Sequence, residues 1–207
     1  DMIKTDNNYR SAKVNWNKTK EKIISLINKG SNIVTQGFIA SDSNNFTTTL
    51  GREGSDYSAA IFGYCLNAQS VCVWKDVPGI LNSDPRYFKN SILLNSLSYE
   101  EAIELSYYGA SVIHPKTLQP LKRKEIPLYV KSFFKPNEKG TKVGKNLSLS
   151  PDITCYIIRK NQILISISSL DFSYMLEDNI YQIFKLFNQN KIKVNLIQNS
   201  AISFTVC

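Results

Sequence analysis

Histidine, paired cysteines and long apolar runs are scarce in this 207-residue sequence, which has one histidine and four cysteines. No second nitrogen ligand accompanies His114, so neither a zinc site nor a Ser/His relay is predicted there, and a structural role beside Pro115 is expected. The cysteines form no CxxC pair and stand in apolar segments, so we expect reduced, buried and inert thiols at Cys65, Cys72, Cys155 and Cys207. No metal ligand set is predicted.

Sequence features typical of membrane and nucleic-acid-binding proteins are also missing. No apolar run approaches the roughly 18 residues that cross a bilayer, and no charged-then-apolar leader opens the chain, so we expect a cytoplasmic protein without membrane contact. The formal net charge is +8, and residues 116–145 contain nine basic and two acidic side chains. Phe133 and Phe134 stand beside a strand and are not interleaved with the basic residues, so solvated loops are predicted and no nucleic-acid partner.

The segment TTTLGREGSDYSAA places a guanidinium, two glycines and a carboxylate before an apolar helix. Gly51 and Gly54 permit positive φ and close backbone approach, and Ser55 or Asp56 can cap the helix. Free N–H groups and the helix dipole then favour an anion, and Arg52 can fork onto a carboxylate or phosphate. On its own, such a turn before a helix is more often structural.

The segment VCVWKDVPGILNSDPR is a second signal. Residues 71–74 predict a short buried strand, after which the chain turns through Pro78 and Gly79. Ligands of open α/β sheets bind beyond the carboxyl ends of the strands, so Asp76 is expected at the rim of such a crevice. Arg86 is expected within reach of a phosphate.

Apolar periodicity predicts the other elements of an α/β unit. Helices are predicted over residues 17–28, ended by Gly30, after Ser55, and from Ser98 to Gly109, where Glu101 completes a capping box. Strands are predicted at residues 33–35, 44–49, 71–74 and 128–132. The Gly- and Lys-containing residues 136–150 are predicted to link a first domain, residues 1–135, to a second domain, residues 151–207.

The second domain has a β-α-β-β pattern. Strands are predicted at residues 155–158, 163–168, 194–197 and 202–206. One apolar face of the intervening helix is formed by Leu176, Ile180, Ile183, Phe184 and Phe187.

Four motifs in order, TQGFIAS, TTTLGREGSDYSAA, WKDVPGILNSDPR and YYGASVIHPKTLQP, resemble aspartate kinases, and most closely the single-function, lysine-pathway type. The resemblance implies an α/β fold: a partial three-layer amino-acid-kinase domain of the carbamate-kinase-like type, then an incomplete ACT domain, a ferredoxin-like α+β regulatory module. It also implies ATP and Mg²⁺ as cofactors. The reaction implied is transfer of the γ-phosphoryl group to the side-chain carboxylate of L-aspartate, giving 4-phospho-L-aspartate.

The resemblance also implies roles for individual residues. Arg52 and Asp56 are the expected catalytic residues, since Arg52 would grip a carboxylate of aspartate and Asp56 would position its ammonium or assist the charge arrangement. The aspartate pocket would further include Phe38, Thr49 and Ser55. The nucleotide contacts would come from Lys75, Asp76, Leu81, Arg86 and Ser111.

Three nucleotide positions depart from the commoner family pattern, with Lys75 for a threonine, Leu81 for a tyrosine and Ser111 for a lysine. Lys75 or Lys116 is a candidate to supply a compensating charge.

The expected effector site comprises Met175, Val194, Asn195, Asn199 and Ser200. Lysine-inhibited relatives have acidic side chains where this chain has Asn195 and Ala201, so backbone carbonyls or the carboxylates of Asp171, Glu177 or Asp178 would have to bind an effector ammonium. We expect lysine in preference to threonine, and a homodimer formed through ACT domains.

Two other functions stay open at this point. The chain could act only as an effector-binding and dimerisation module, or it could belong to another amino acid kinase, such as a glutamate kinase, although GFIAS and GREGSD disfavour the latter. Aspartate kinases begin with a Lys-Phe-Gly-Gly-Thr-Ser type of segment that these 207 residues lack. The chain is therefore expected to be a fragment that does not turn over ATP by itself.

Overall fold

The computed structural model describes residues 1–27, 32–52, 54–108, 112–171 and 173–207. These form two compact units, Asp1–Ile158 and Arg159–Cys207. The predictions that the first helix ends at Gly30 and the third at Gly109 lie outside the described residues. No helix within the described ranges is both long enough and apolar enough to span a bilayer.

The first unit contains a four-stranded mixed sheet and a separate two-stranded sheet. The larger sheet has the strand order β3-β5-β6-β4, with β3 parallel to β5, β5 antiparallel to β6 and β6 parallel to β4. Strands β1 and β2 pair antiparallel in the smaller sheet. The elements are α1 Trp16–Leu26, β1 Ile39–Ser41, β2 Thr47–Thr49, α2 Gly54–Leu66, β3 Val71–Lys75, β4 Ser96–Ser98, α3 Tyr99–Tyr108, α4 Pro115–Arg123, β5 Leu128–Ser132 and β6 Thr141–Gly144.

The period-two pattern of β3 decides which of its side chains enter the core. Val71 and Val73 point into an apolar cluster that also contains Leu128 and Val130 of β5. Cys72 alternates with these valines and is exposed, so the prediction that all four cysteines are buried is wrong at this position. Cys155 and Cys207 are only partly buried, so of the four only Cys65 is buried as predicted. Burial raises the pKa of the Cys65 thiol, as expected for an inert cysteine.

Side chains cap two helix starts in this unit. The Ser98 hydroxyl accepts a hydrogen bond from Glu101 N at 3.1 Å, and Ser98 N donates to Glu101 Oε2 at 2.7 Å, so the predicted capping box is confirmed. At α4, His114 Nδ1 accepts a hydrogen bond from Lys116 N at 3.1 Å, with Pro115 in the first turn. The structural role expected for His114 is confirmed.

The predicted strand at residues 33–35 is absent, and Val34 is fully exposed. Its β-branched composition favours an extended chain, but these residues join no neighbouring strand in the described part of the structure. The strand begins instead at Ile39 and pairs with residues 47–49, the carboxyl-terminal half of the strand predicted over 44–49.

The residues predicted as a linker, 136–150, include β6, an integral strand of the larger sheet. Gly140, with φ of 67°, makes the turn that returns the chain antiparallel to β5, and a Cβ there would collide with the carbonyl oxygen of Val130. Glycine therefore indicates a turn here, not a linker. The boundary between the two units falls between Ile158 and Arg159.

The second unit is a three-stranded antiparallel sheet with one helix. Strands β7 and β8 flank β9, which gives the strand order of a split β-α-β arrangement. Its elements are β7 Ile165–Ser168, α5 Glu177–Gln189, β8 Ile197–Asn199 and β9 Ser203–Val206. The strand predicted at residues 155–158 belongs to the first unit, where Tyr156 makes a single bridge to Ser83.

The core of the second unit lies between α5 and one face of the sheet. Phe204 and Val206 are buried, and Phe184 packs edge-on against Phe204 with ring centroids 5.5 Å apart. Of the predicted helix face, Ile180, Ile183, Phe184 and Phe187 are partly buried, whereas Leu176 is the exposed N-cap residue.

Candidate functional site

The amino-terminal turn of α2 is packed tightly against the residues that precede β1. Ser58 Oγ accepts a hydrogen bond from Phe38 N at 2.8 Å and donates to Gly54 O at 2.8 Å. A Cβ on Gly54 would lie 2.6 Å from Phe38 Cδ2, so only glycine permits this approach. Phe38, with φ of 71° and a half-exposed ring, thus lies against this turn, and Ser55 lies beside Gly37, whose ideal Cβ position is 3.0 Å from Ser55 Cα.

Helix α2 begins at Gly54, so Ser55 and Asp56 lie inside its first turn instead of capping it. A carboxylate in the first turn of a helix interacts favourably with the macrodipole. Asp56 therefore occupies a position that stabilises negative charge. The only hydroxyl that joins this helix start to the preceding loop in the described residues is that of Ser58, a residue that sequence reasoning did not single out.

Thr49 contacts the backbone of residues 9–12, near the amino terminus of the chain. Its hydroxyl donates to the carbonyl oxygens of Tyr9 and Arg10, at 3.2 and 3.1 Å. Its N–H is bonded to Tyr9 O, and its carbonyl oxygen accepts from Ala12 N. The Thr49 hydroxyl thus holds this segment, and no motif in the sequence indicated that contact.

Gly51 has φ of 79°, as the predicted loop requires. Its ideal Cβ position lies 3.1 Å from Ser11 Oγ, which also accepts a hydrogen bond from Lys116 Nζ at 3.4 Å. Lys116 is therefore brought beside the loop that precedes Arg52. Arg52 itself is exposed, which leaves its guanidinium accessible to a ligand.

An ion pair joins the start of α2 to the carboxyl end of β3. Lys75 Nζ lies 2.5 Å from Asp56 Oδ2, and the two side chains are only 23% and 12% exposed. Sequence reasoning placed Asp56 in the aspartate pocket and Lys75 among the nucleotide contacts. The structure brings the two residues into direct contact.

A cavity of about 470 Å³ opens beyond the carboxyl end of β3. Four predicted nucleotide contacts line it together: Lys75, Asp76, Leu81 and Arg86. The fifth, Ser111, lies outside the described residues. Cavities of this size are in the range of small-molecule sites.

Arg86 is the outer cation of this cavity. Its Nε lies 3.1 and 3.0 Å from the two carboxylate oxygens of Asp84, and its Nη2 lies 2.7 Å from Asp84 Oδ2. These hydrogen bonds hold the pKa of the Asp84 carboxyl below its usual range. The Arg86 side chain is 76% exposed and has donors to spare, so it can also bind an anion.

A buried threonine of β6 is hydrogen-bonded to the loop after β3 that lines the cavity. Thr141 Oγ1 accepts a hydrogen bond from Ile80 N at 2.8 Å and donates to Leu94 O at 2.6 Å. Gly79, with φ of 152°, passes close above it, and a Cβ on Gly79 would lie 2.5 Å from Thr141 Oγ1. Sequence reasoning assigned Thr141 to a linker and so missed this contact.

The opposite wall of the cavity comes from residues 156–158, at the end of the first unit. Tyr156 N donates to Asn82 O at 2.7 Å, and Asn82 Nδ2 donates to Thr154 O at 3.0 Å. The Tyr156 ring stacks on Phe88 with centroids 5.5 Å apart. Tyr156 therefore contributes an aromatic ring to the cavity wall, from a segment predicted to lie in another domain.

The predicted effector residues fall at two ends of β8 in the second unit. Met175 N donates to Ala201 O, which places Met175 near Asn199 and Ser200. Asn195 N instead donates to Cys207 O, and Asn195 Nδ2 donates to Gln162 Oε1 at 2.8 Å. At the strand rise of about 3.3 Å per residue, the four steps from Asn195 to Asn199 span up to roughly 13 Å.

Two similar proteins cover most of this chain. It is 36% identical over 182 residues to lysine-sensitive aspartokinase 3 of Escherichia coli (strain K12), a match that covers 88% of this chain and 40% of that protein. It is 34% identical over 201 residues to the bifunctional aspartokinase/homoserine dehydrogenase of Buchnera aphidicola subsp. Acyrthosiphon pisum, which covers 97% of this chain and 25% of that protein.

Solved structures agree with these similarities. The structure of E. coli aspartokinase III in complex with aspartate and ADP (R-state) superposes with a TM-score of 0.80 at 33% identity, over 99% of this chain and 46% of that one. The structure of the same enzyme in complex with lysine and aspartate (T-state) gives a TM-score of 0.80 at 32% identity.

The chain thus spans less than half the length of these relatives. The Amino acid kinase family matches residues 1–132, which include the start of α2, β3 and the loop that lines the cavity. This chain belongs to the amino acid kinase family.

Proposed function

We propose that this chain is part of an aspartate kinase, which transfers the γ-phosphoryl group of ATP to the side-chain carboxylate of L-aspartate to give ADP and 4-phospho-L-aspartate. The observation that carries the proposal is the contact between Lys75 and Asp56, because it joins the anion-binding start of α2 to the cavity beyond β3. The similarity to an aspartokinase solved with aspartate and ADP supports the same two ligands.

The aspartate site in this proposal lies at the start of α2. Arg52 grips a carboxylate of the substrate through its planar fork, which matches two carboxylate oxygens. Phe38 and Ser55 form the adjoining wall, and Asp56 attracts the substrate ammonium. Thr49 supports the loop through its bonds to the backbone of Tyr9 and Arg10.

The nucleotide site is the cavity lined by Lys75, Asp76, Leu81 and Arg86. Arg86 binds phosphate while its remaining donors hold Asp84. No group of three or more His, Cys, Asp or Glu side chains in the described ranges could hold a metal ion alone. Mg²⁺ fits here as part of the nucleotide complex, since it is usually bound by one or two carboxylates plus substrate phosphates, and Asp76 is the carboxylate we assign to it.

The chemistry needs no general base, because a carboxylate is already a nucleophile at neutral pH. One aspartate oxygen forms the new bond to the γ-phosphorus as the bond to the β,γ-bridging oxygen breaks, and the electron pair leaves with ADP. The protein contributes positioning and charge neutralisation, which are the main sources of catalysis in phosphoryl transfer.

The experiment uses the complete open reading frame that contains this chain. ATP-dependent acyl phosphate is trapped with hydroxylamine, with L-aspartate or L-glutamate as acceptor. We expect a hydroxamate with aspartate and only background with glutamate. A product with glutamate alone would assign the chain to a glutamate kinase, and no product with either acceptor would refute the kinase proposal.

The second unit is, in the same proposal, the front of an ACT regulatory domain that binds an amino-acid effector. Its split β-α-β order supports this assignment, as does the similarity to an aspartokinase solved with lysine. Met175, Asn199 and Ser200, which lie at the carboxyl end of β8, form one part of the effector site. Lysine is favoured over threonine as the effector. Activity and melting temperature are measured against millimolar lysine and threonine, and no response to either would refute the regulatory role.

The homodimer is proposed to form through these ACT domains. Large apolar side chains of the second unit support it, because Ile163, Leu164 and Leu170 are at least 69% exposed. Light scattering of the complete protein gives the test, and a monomer at micromolar concentration would contradict it. Cytoplasmic location stays a prediction from the sequence.

A further inference from the structure

We infer that Lys75 couples the two ligand sites: nucleotide phosphate draws its ammonium away from Asp56, which frees that carboxylate for the ammonium of aspartate. The inference rests on the proposed function and concerns how its two substrates help one another to bind. It makes Lys75 a cation that the two sites share.

The first step is that Asp56 is occupied by Lys75. The 2.5 Å separation of Lys75 Nζ from Asp56 Oδ2, together with the low exposure of both side chains, makes this a close and largely desolvated ion pair. A substrate ammonium that binds Asp56 must compete with a cation of the same chemistry. Without nucleotide, Lys75 therefore lowers the affinity of the site for aspartate.

The second step is that Lys75 also faces the cavity. Among the described residues that line it, the only cations are Lys75 and Arg86. Arg86 remains on Asp84 through a local contact two residues away, and its planar group can hold phosphate without leaving that partner. The inner cation available to a polyphosphate is therefore the ammonium of Lys75, on a flexible four-carbon stem.

The third step is thermodynamic. A ligand shifts an equilibrium only by its differential affinity for the two states, and phosphate binds the state in which Lys75 has turned toward the cavity. That same state has an unpaired Asp56. Nucleotide and aspartate thus favour one position of Lys75, and each raises the affinity for the other by the same factor.

The test measures dissociation constants by calorimetry on the complete protein, with Mg²⁺–AMP-PNP and L-aspartate as probes. In the wild type, AMP-PNP is expected to lower the aspartate Kd by about tenfold, and aspartate to lower the AMP-PNP Kd equally. In Lys75→Met this factor falls to within about twofold of one. The aspartate Kd of that variant without nucleotide should already approach the wild-type value measured with nucleotide.

This gain in affinity separates coupling from a purely structural role, since simple damage to the site would weaken aspartate binding. Lys131→Met is the matched control: Lys131 lies opposite Trp74 on the neighbouring strand, above the ring of that tryptophan, and does not line the cavity. It should retain the wild-type factor. Lys75→Arg keeps the charge and should retain a factor above about three.

Two results would overturn the inference: a wild type in which the ligands bind independently, or a Lys75→Met variant with undiminished coupling. Phosphoryl transfer to aspartate is measured in the same preparations. Normal turnover without coupling would reject the role of Lys75 and leave the proposed function standing. If the wild-type protein binds neither AMP-PNP nor aspartate, both the coupling role of Lys75 and the proposed function are rejected.

Discussion

Replacing Thr141 by valine tests whether a single hydroxyl of β6 holds the loop that lines the cavity. The side chain is fully buried, and valine has nearly the same shape. The change removes both hydrogen bonds of the hydroxyl and leaves Ile80 N and Leu94 O without this partner. Each buried group left unsatisfied costs about 1 to 3 kcal/mol, so we expect a loss of roughly 2 to 6 kcal/mol in the free energy of unfolding.

Two further variants isolate the hydroxyl. Thr141→Ser keeps it and loses one methyl group, worth about 1 kcal/mol. Thr117→Val is the matched control, because Thr117 is also fully buried in the first unit, but its hydroxyl has no hydrogen-bond partner among the described residues. That substitution should be neutral or stabilising, since it removes an unsatisfied polar group.

Urea unfolding followed by tryptophan fluorescence provides the measurement, in a Trp16→Phe background that leaves Trp74 of β3 as the reporter. With a slope of about 1 to 3 kcal/mol per molar urea, a change of 3 kcal/mol moves the midpoint by roughly 1 to 3 M. Finding Thr141→Val within about 0.5 kcal/mol of Thr141→Ser would show that the hydroxyl does not stabilise the loop.

Three more outcomes are expected. Gly79→Ala should weaken nucleotide binding and lower the melting temperature, because its Cβ would meet Thr141 Oγ1 at 2.5 Å and φ is 152°; unchanged values for both would contradict this. Burial raises the pKa of Tyr99 to about 12 from 10.0. The stability that its neutral phenol contributes is therefore complete below pH 10 and lost as pH rises toward 12, and Tyr99→Phe should remove that part of the pH dependence; identical curves would refute the shift. Arg52→Lys in the complete enzyme should lower kcat/KM for aspartate by roughly 2 to 4 kcal/mol in transition-state terms, and a value near wild type would exclude Arg52 as the substrate clamp.

The sequence predicted those structural features that depend only on residues a few positions apart. Ser98 and Glu101 form their capping box because both partners belong to one turn, and the apolar face of α5 follows directly from helical spacing. Strand β3 lies where residues 71–74 predicted a strand, but only one of its faces is buried, whereas a buried strand was expected. The resemblance to aspartate kinases implied that Lys75, Asp76, Leu81 and Arg86 bind one ligand, and these four residues line one cavity.

Pairing between strands that are distant in the sequence decided which extended segments become strands. Residues 33–35 have strand-forming side chains but no partner strand within the described part, whereas residues 141–144 pair on both sides although glycine and lysine surround them. Strand formation requires hydrogen bonds to a neighbour that sequence periodicity does not identify. The exposure of Cys72 follows in the same way from which face of β3 the helices cover.

By itself, the sequence determined the family motifs, the helix start rich in glycine and charge, and the presence of cations and carboxylates near β3. Only the tertiary structure decided that Lys75 contacts Asp56, that Thr141 supports the cavity loop and that Tyr156 forms part of its wall. These contacts join residues 19, 61 and 74 positions apart, the last through the hydrogen bond from Tyr156 N to Asn82 O. Their geometry depends on how the sheet, α2 and the end of the first unit pack together, and no local pattern encodes that packing.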